Sequence, residues 1–281
     1  MRKIRWTLAV IAVLAVIFTA CGKKEKDEMQ GKARTPDEIK ENGEIVIGVF
    51  SDKKPFGYVD ENATYQGYDV YFGNRMAEDL GVKVKYIPVE AASRVEYLRT
   101  GKADVILANF TATEERKEQV DFALPYMKVS LGVVSPEKSL ITRESQLKGK
   151  TLIVSKGTTA ETYFMKHHPE VNLLKFDQYS EAFQALKDGR GDALATDNTE
   201  VLAWAVENDG FKVGIESMGN TDVIAPAVQK GNDELLSWIN EEIKTLGKEN
   251  FFHENYEKTL KPVYRSAADP ENLVIEGGNV Q

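Results

Sequence analysis

Short apolar segments alternate with helical segments along most of the chain, and this alternation restricts the possible folds more than any other feature. Residues 44–50 have the pattern of a buried strand, residues 67–80 carry apolar side chains at helical spacing, and residues 82–88 again favour a strand. The same order returns between residues 151 and 196. Strands separated by helices in this way form parallel sheets that are covered by helices on both faces. The sequence therefore predicts an α/β fold.

Two segments of the chain repeat one pattern. Residues 98–109 (LRTGKADVILAN) and residues 186–197 (LKDGRGDALATD) each combine a helix end, a glycine, a basic residue, an aspartate and a short apolar strand. A polar residue, Asn109 or Asp197, stands at the carboxyl end of each strand. Because ligands of open α/β sheets bind outside these strand ends, we expect both residues to face one crevice between two similar lobes. The alternative is a chance repeat, since such turns are common before strands.

Opposite charges are expected on the two sides of this crevice. Arg116 falls in the first turn of a helix predicted to begin near Thr113, where a cation opposes the helix dipole unless an anion neutralises it. Arg116 and the Thr111 hydroxyl could bind a carboxylate, together with the glycine-rich turn before Thr159. A carboxylate at Asp197 would then suit an ammonium group, and the two sites together suit an α-amino acid. The alternative is a surface arginine paired with a nearby acidic residue.

The N-terminus predicts export. Basic residues precede an apolar stretch over residues 7–20, which is long enough for the core of a signal peptide and short for a membrane span. The stretch ends at Cys21, the only cysteine, which resembles a bacterial lipoprotein signal in which Cys21 is lipidated. An uncleaved membrane anchor is the alternative. Residues 21–42 are highly charged and predict a flexible linker, with a short helix beginning near its end.

Composition excludes several classes of function. The chain has 44 acidic and 36 basic residues and a net charge of −8, which argues against nucleic acid as a partner. A single cysteine rules out a disulfide within the chain, and no cluster of Cys and His is present to hold a metal. Because there is also no phosphate-binding loop and no nucleophile beside a base, we expect neither a cofactor nor an enzyme.

Several short motifs follow one another in order between residues 44 and 265. They are Pro55-Phe56-Gly57-Tyr58, Gly67-Tyr68-Asp69-Val70, Gly101-Lys102-Ala103-Asp104, residues 109–116, Val120-Asp121-Phe122 and Gly157-Thr158-Thr159. Together they resemble the polar amino-acid-binding proteins of ABC importers, the periplasmic-type solute-binding proteins of family 3. Within that family the chain is most similar to the cysteine-binding branch, through residues 89–95, 109–111, 125–129, 155–160, 191–194 with 197–199, and 222–228.

The resemblance implies a type II two-lobed fold, in which two parallel-rich sheets with flanking helices are joined by two crossing strands near residues 128–134 and 223–228. The implied organisation is a signal peptide (1–20), a linker (21–42), lobe 1 (43–129 and 226–265), lobe 2 (130–225) and a C-terminal tail (266–281). Ligand would close the lobes, and the closed form would be presented to a membrane permease. The expected protein is a monomer on the outer side of a membrane, held there by the lipid on Cys21.

The resemblance also implies roles for individual residues. Arg116 and Thr111 match the carboxylate binders of the family, Thr159 matches an amide donor of lobe 2, and Asp197 matches the ammonium partner. Asn109 matches a residue whose carbonyl takes the ammonium, and Phe110 lies between Asn109 and Thr111 in the same motif. Phe50 and Phe56 lie where the family packs an aromatic ring on the ligand, although both could be ordinary core residues. Arg94 could reach a side-chain carboxylate of the ligand or serve the hinge.

Three functions stay open at this point. The first is delivery of a polar amino acid, with cysteine favoured and glutamate or aspartate as the alternative. The second is an enzyme on the same scaffold, because cyclohexadienyl dehydratases resemble this family in fold. The third is a surface adhesin or antigen, which exported lipoproteins can also be. Fold alone does not decide among them.

Overall fold

The computed structural model describes residues 31–280, and these residues form two lobes around two five-stranded sheets. The α/β class and the two-lobed architecture predicted from the sequence are therefore confirmed. The predicted signal peptide and Cys21 lie outside the described residues. The predicted boundaries of the lobes remain predictions, because the two sheets show which strands belong together and not where one lobe gives way to the other.

The strands are β1 (Glu44–Val49), β2 (Asp52–Lys53), β3 (Gly57–Val59), β4 (Tyr65–Gln66), β5 (Lys83–Pro88), β6 (Val105–Ile106), β7 (Val120–Phe122), β8 (Met127–Pro136), β9 (Thr151–Ser155), β10 (Asn172–Phe176), β11 (Ala193–Asp197), β12 (Phe211–Ile224) and β13 (Ala227–Gln229). The α-helices are α1 (Pro36–Asn42), α2 (Tyr68–Leu80), α3 (Arg94–Arg99), α4 (Glu114–Lys117), α5 (Thr159–His167), α6 (Tyr179–Lys187), α7 (Asn198–Glu207), α8 (Asp233–Lys248), α9 (Phe251–Asn255) and α10 (Lys261–Tyr264).

Each large sheet mixes parallel and antiparallel pairs. The sheet of lobe 1 has the order β5-β1-β6-β13-β7, and β1 runs parallel to both β5 and β6. The sheet of lobe 2 has the order β10-β9-β11-β8-β12, and β9 runs parallel to both β10 and β11. A third, small sheet, β2-β3-β4, lies in the chain between β1 and α2. The antiparallel pair β8 and β12 links the two lobes.

Helix α2 shows how local sequence specifies an element of lobe 1. Tyr68, Phe72, Met76 and Leu80 recur every four residues, so they lie on one helical face, and all four are buried. The helix ends where Gly81 takes a left-handed conformation with φ of 77°. This face packs into the lobe 1 core, and the other end of the helix begins beside the crevice.

The repeated pattern has a physical basis in two equivalent aspartates. Asp104 pairs with Val46 of β1 through its own N–H, at 2.9 Å, and through its carboxylate, which accepts the Val46 N–H at 2.7 Å. Asp192 makes the same two contacts with Thr151 of β9, both at 2.8 Å. Each aspartate therefore aligns its following strand with the neighbouring parallel strand. The repeat reflects a shared construction and is not a chance event.

Both ends of the described chain are part of the folded body. Thr35 caps α1, and Ile39 within that helix is fully buried, so the predicted flexible linker contains an ordered segment before residue 42. At the other end, Val274 pairs with Met127 of β8, and Ile275 is 1% exposed. The predicted tail 266–281 therefore packs against the folded body in its described part. No helix within residues 31–280 is both long and apolar enough to cross a membrane.

The packing of the C-terminal segment predicts a stability difference between two apolar residues. Ile275→Ala should lower the free energy of unfolding by about 2–4 kcal/mol, because it removes buried methyl groups and leaves a cavity. Val280→Ala is the matched control, since Val280 is 59% exposed, and it should change stability by less than about 0.5 kcal/mol. Urea unfolding measures both. Equal effects would show that the segment does not pack in solution as described.

Candidate functional site

The carboxyl end of β6 presents Asn109 in an unusual backbone conformation. Asn109 has a φ of 42°, in the left-handed region that most side chains avoid. Its N–H donates to the buried carboxylate of Asp69 at 2.8 Å, and its carbonyl accepts from Arg94 at 3.3 Å. The other oxygen of Asp69 accepts from the Tyr126 hydroxyl at 2.6 Å. Asp69 and Arg94 therefore hold this strand end from two sides, and the backbone strain is stored where the crevice begins.

A lysine from lobe 1 reaches the carboxyl end of β11 in lobe 2. The Nζ of Lys53 lies 2.7 Å from Asp197 Oδ2 and 3.3 Å from Glu200 Oε2, and it donates to Asn109 Oδ1 at 2.9 Å. The Tyr179 hydroxyl accepts from the same ammonium at 3.3 Å. The Lys53 side chain is 1% exposed, so this ion pair is buried between the lobes.

Burial and charge act against each other on these groups. Burial alone would lower the pKa of Lys53, but the charges of Asp197 and Glu200 outweigh it, so the pKa of Lys53 is raised. Burial raises the pKa of Glu200 to about 7, although Lys53 opposes this, and burial raises the pKa of Asp69 to about 7 as well. Two carboxyl groups behind the crevice therefore change their charge near neutral pH.

The contacts of Lys53 decide how the Asn109 amide is oriented. A lysine ammonium can only donate, so the oxygen of the amide must face Lys53 and the nitrogen must point away from it. That nitrogen, Nδ2, is buried and has no hydrogen-bond partner among residues 31–280. Asp197 is in a similar state, since Lys53 occupies its Oδ2 and no described residue donates to its Oδ1. A donor and an acceptor are thus left unused at the two strand ends.

Two arginines stand at the opposite side of the site without a carboxylate partner. Arg116 donates to the carbonyls of Thr111 and Gly157, both at 2.9 Å. Arg94 donates to the carbonyls of Ala91, Ala108, Asn109 and Gly157. Neither guanidinium has an ion pair with any residue in the described part of the chain. Burial lowers the pKa of both groups, that of Arg94 to about 9, and for Arg94 the like charge of Arg116 adds to the effect.

The number of N–H groups distinguishes the two arginines. A guanidinium has five N–H groups. Four of them are used by Arg94 and two by Arg116, so Arg116 has three left and Arg94 has one. Arg116 therefore retains the capacity to bind a carboxylate in a bidentate manner, whereas Arg94 mainly holds the backbone around it in place.

Both threonines of the predicted anion site lie beside Arg116. Thr111 is buried, its carbonyl binds Arg116, and its hydroxyl has no hydrogen bond to another residue between 31 and 280. Thr159 is the first residue of α5, where a backbone N–H has no acceptor within the helix. The lobes approach closely at Gly157, because a Cβ there would lie 2.5 Å from the Cα of Ala92. The structure thus brings Arg116, Thr111 and Thr159 together.

The predicted aromatic residues have different surroundings. Phe110 packs under both guanidiniums, with its ring centre 4.2 Å from Arg94 and 4.9 Å from Arg116. Phe50 packs edge-on against Tyr179 of lobe 2, with ring centres 5.2 Å apart. Phe56 is fully buried in the lobe 1 core. Phe110 therefore orients the arginines, and the surroundings of Phe56 are those of a core residue.

Sequence reasoning missed the residues behind the crevice. Lys53, Asp69, Tyr179 and Glu200 were not identified as site residues, although Asp69 lies in a motif that carried the resemblance. A cavity of about 410 Å³ opens beside Arg116 and is lined also by Thr159, Met218 and Asp222. Burial raises the pKa of Asp222, although Arg116 opposes this. This cavity connects the surroundings of Arg116 and Thr159 to solvent.

Comparison with known proteins identifies related chains. The family model described as bacterial extracellular solute-binding proteins, family 3, matches residues 45–262. A glutamine-binding protein of an ABC transporter from Bacillus subtilis is 33% identical over 93% of this chain and 98% of its own length.

Two solved structures are more similar in sequence. The solute receptor for L-cysteine of Neisseria gonorrhoeae is 57% identical with a TM-score of 0.85, covering 86% of this chain and 100% of its own. A cysteine-binding protein from Campylobacter jejuni is 52% identical with a TM-score of 0.85, covering 86% of this chain and 98% of its own.

The raised pKa of Glu200 predicts a loss of stability with rising pH. The pKa is 4.5 in the unfolded chain and about 7 in the fold, so between these values the folded state holds a proton that the unfolded state has lost. The free energy of unfolding should therefore fall between about pH 4.5 and 7, by at most about 3 kcal/mol for this group.

Urea unfolding of the wild type and Glu200→Gln between pH 5 and pH 8 checks this expectation. The variant cannot ionise, so its stability relative to the wild type should improve as the pH rises. Ionisation of Asp69 lowers the stability of both proteins in the same way as the pH rises, so its contribution cancels when the two free energies of unfolding are subtracted. Parallel pH profiles would contradict the assignment of this proton to Glu200.

Proposed function

The chain belongs to the bacterial extracellular solute-binding proteins of family 3, and within this family we propose that it receives L-cysteine for an ABC importer by closing its two lobes around the amino acid. It is an amino-acid-binding protein of an ABC transporter. The proposal that an amino acid binds between the lobes rests on one observation above all. Arg116 keeps three free N–H groups and has no carboxylate partner among the described residues. A partly buried cation in that state is stabilised when an anion binds to it.

The α-carboxylate of the ligand would occupy this anion site. Arg116 would bind it through two N–H groups, and the Thr111 hydroxyl and the Thr159 N–H would donate to it as well. The α-ammonium would bind Asp197 Oδ1, because Oδ2 is already occupied by Lys53. The Asn109 carbonyl already accepts from Arg94, and the unpaired Asn109 Nδ2 would donate to an acceptor of the ligand and not bind its ammonium.

One further observation favours a neutral side chain on the ligand. Arg94 has one N–H left, which is too few for bidentate binding of a glutamate or aspartate side chain. The similarity to two proteins named for cysteine supports cysteine within that class.

Binding without turnover is part of this proposal. An enzyme of the dehydratase type would need a general acid that reaches the ligand. Of the buried carboxyl groups with a pKa near 7, Asp69 already accepts from Asn109 and Tyr126, and Glu200 accepts from Thr196 and contacts Lys53. Both oxygens of Asp69 are used within the protein, and Glu200 lines a separate cavity with Lys54 and Glu207 whose lining does not include Arg116, which favours a receptor over an enzyme.

A thermal-shift panel of the twenty amino acids and cystine tests the ligand, using protein refolded from denaturant to remove any bound ligand. Cysteine at about 1,000 times its Kd should add about 4 kcal/mol, a shift of several degrees. Cysteine should give the largest shift under reducing conditions. A larger shift with cystine, glutamine, glutamate or aspartate would identify that compound, and not cysteine, as the ligand. If no amino acid gives a shift, the proposal is contradicted.

Arg116→Ala tests the carboxylate site within the same panel and should lose the cysteine shift entirely. Lys117→Ala is the matched control, because Lys117 is the next residue in α4, is exposed, and among residues 31–280 forms an ion pair only with Glu114. Calorimetry provides the Kd for each protein. Micromolar binding by Arg116→Ala would overturn the assignment of Arg116.

The membrane anchor is also proposed, from the signal at the N-terminus. We infer that residues 1–20 are removed, that Cys21 carries lipid, and that the monomeric receptor works beside its permease on the outer face of a membrane. Cys21→Ser should abolish incorporation of labelled fatty acid and release the protein from the membrane fraction. Unchanged labelling in Cys21→Ser would show that the anchor lies elsewhere.

A further inference from the structure

The surroundings of the Lys53 ammonium have the composition of a cation-binding subsite. Two carboxylates, Asp197 and Glu200, lie within 3.3 Å of Nζ. The side-chain oxygens of Asn109 and Tyr179 accept from it at 2.9 and 3.3 Å. All these groups are nearly inaccessible to solvent. A cation therefore stabilises this arrangement, because it neutralises the Asp197 carboxylate and favours the ionised form of Glu200 beside it.

Aromatic rings complete the subsite. The Nζ atom lies 4.5 Å from the ring centre of Tyr179, 5.4 Å from that of Phe50 and 5.8 Å from that of Phe56. Rings within about 6 Å attract a cation through their electron-rich faces, and three rings around one ammonium form an aromatic cage. Such a cage with two carboxylates would suit any primary ammonium, whether it belongs to the protein or to a ligand.

The position of the subsite connects it to specificity. Lys53 binds Asp197 Oδ2, and the other oxygen of Asp197 is the proposed partner of the ligand ammonium. We propose that Lys53 fills, from within the chain, a subsite for a cationic side chain next to the amino-acid site, and so excludes basic amino acids. This inference rests on the proposed function for its link to amino acids, but the existence of the subsite does not.

The neighbouring lysine provides a control within the chain. Lys54 also crosses between the lobes and pairs with Glu207 at 2.7 Å, but its side chain is 45% exposed. Both lysines thus make an ion pair between the lobes, and only Lys53 is caged. A role in holding the lobes together would be shared by both residues, whereas a filled cation subsite belongs to Lys53 alone.

Chemical rescue tests the subsite directly. Lys53→Ala retains Cβ and removes three carbons and the ammonium, which is the size of n-propylammonium. Added n-propylammonium chloride should raise the Tm of Lys53→Ala by two degrees or more above the effect of equal sodium chloride. It should not do so for the wild type, Lys54→Ala or Lys53→Met, whose side chain fills the space without a charge. Neutral n-propanol should not replace the amine.

A second variant guards against failure to fold. If Lys53→Ala does not fold without amine, recovery of the folded protein with n-propylammonium supports the subsite. If it does not fold in either condition, Lys53→Ala/Glu200→Gln, which has one buried carboxylate fewer, is compared in the same way. Absence of a specific amine effect in the double variant, or in a folded Lys53→Ala, would overturn the proposal. No amino acid is needed, so this result is independent of the proposed function.

Calorimetry with 2,4-diaminobutyrate, ornithine and lysine tests the exclusion of basic amino acids. At least one of these should bind Lys53→Ala ten times more tightly than it binds the wild type, while Lys54→Ala should behave as the wild type. Amine rescue without this gain would overturn the role of Lys53 in specificity. If the wild type binds no amino acid at all, the proposed function fails, and the rescue experiment still decides whether the subsite exists.

Discussion

Charges buried where the two lobes meet must be neutralised within the protein or by what it binds, and this constraint shapes the whole site. On one side Lys53 neutralises part of the charge of Asp197 and Glu200, and its own side chain is almost completely buried. On the other side Arg94 and Arg116 donate hydrogen bonds only to carbonyl oxygens within the described chain. Carbonyl dipoles solvate a guanidinium but do not cancel its charge, so the second side remains suited to an anion.

The buried carboxylate of Asp69 fixes the position of Asn109, which contacts both Lys53 on the acidic side of the site and Arg94 on the basic side. Asp69 binds the Asn109 N–H, and Asn109 binds Lys53 through its side chain and Arg94 through its carbonyl. The left-handed backbone of Asn109 is stable because these contacts outweigh the strain. Asp69 lies at the start of α2, so a core helix of lobe 1 connects directly to the geometry of the site.

The fold was predictable from the sequence because its signals are local. The spacing in α2 and the aspartates Asp104 and Asp192 act within one element or between adjacent strands. Arg116 and Thr111 could also be inferred, since they are five residues apart at one helix start. Lys53 could not, because its partner Asp197 is 144 residues away and Lys53 stands beside Lys54. Only the packing of the two lobes makes one lysine buried and the other exposed.

Gly157 lies where closure of the lobes brings lobe 2 against the two arginines of lobe 1. Its carbonyl in lobe 2 accepts from both Arg94 and Arg116 of lobe 1, while Lys53 of lobe 1 reaches Asp197 of lobe 2. Closing the lobes therefore removes both cations and anions from water at the same time, which is costly unless every charge finds a partner. Lys53 already neutralises charge on the acidic side before a ligand binds. On the basic side, neutralisation of Arg116 requires the carboxylate of a ligand. A ligand with that carboxylate would favour closure, whereas one without it would leave the partly buried Arg116 without an anionic partner.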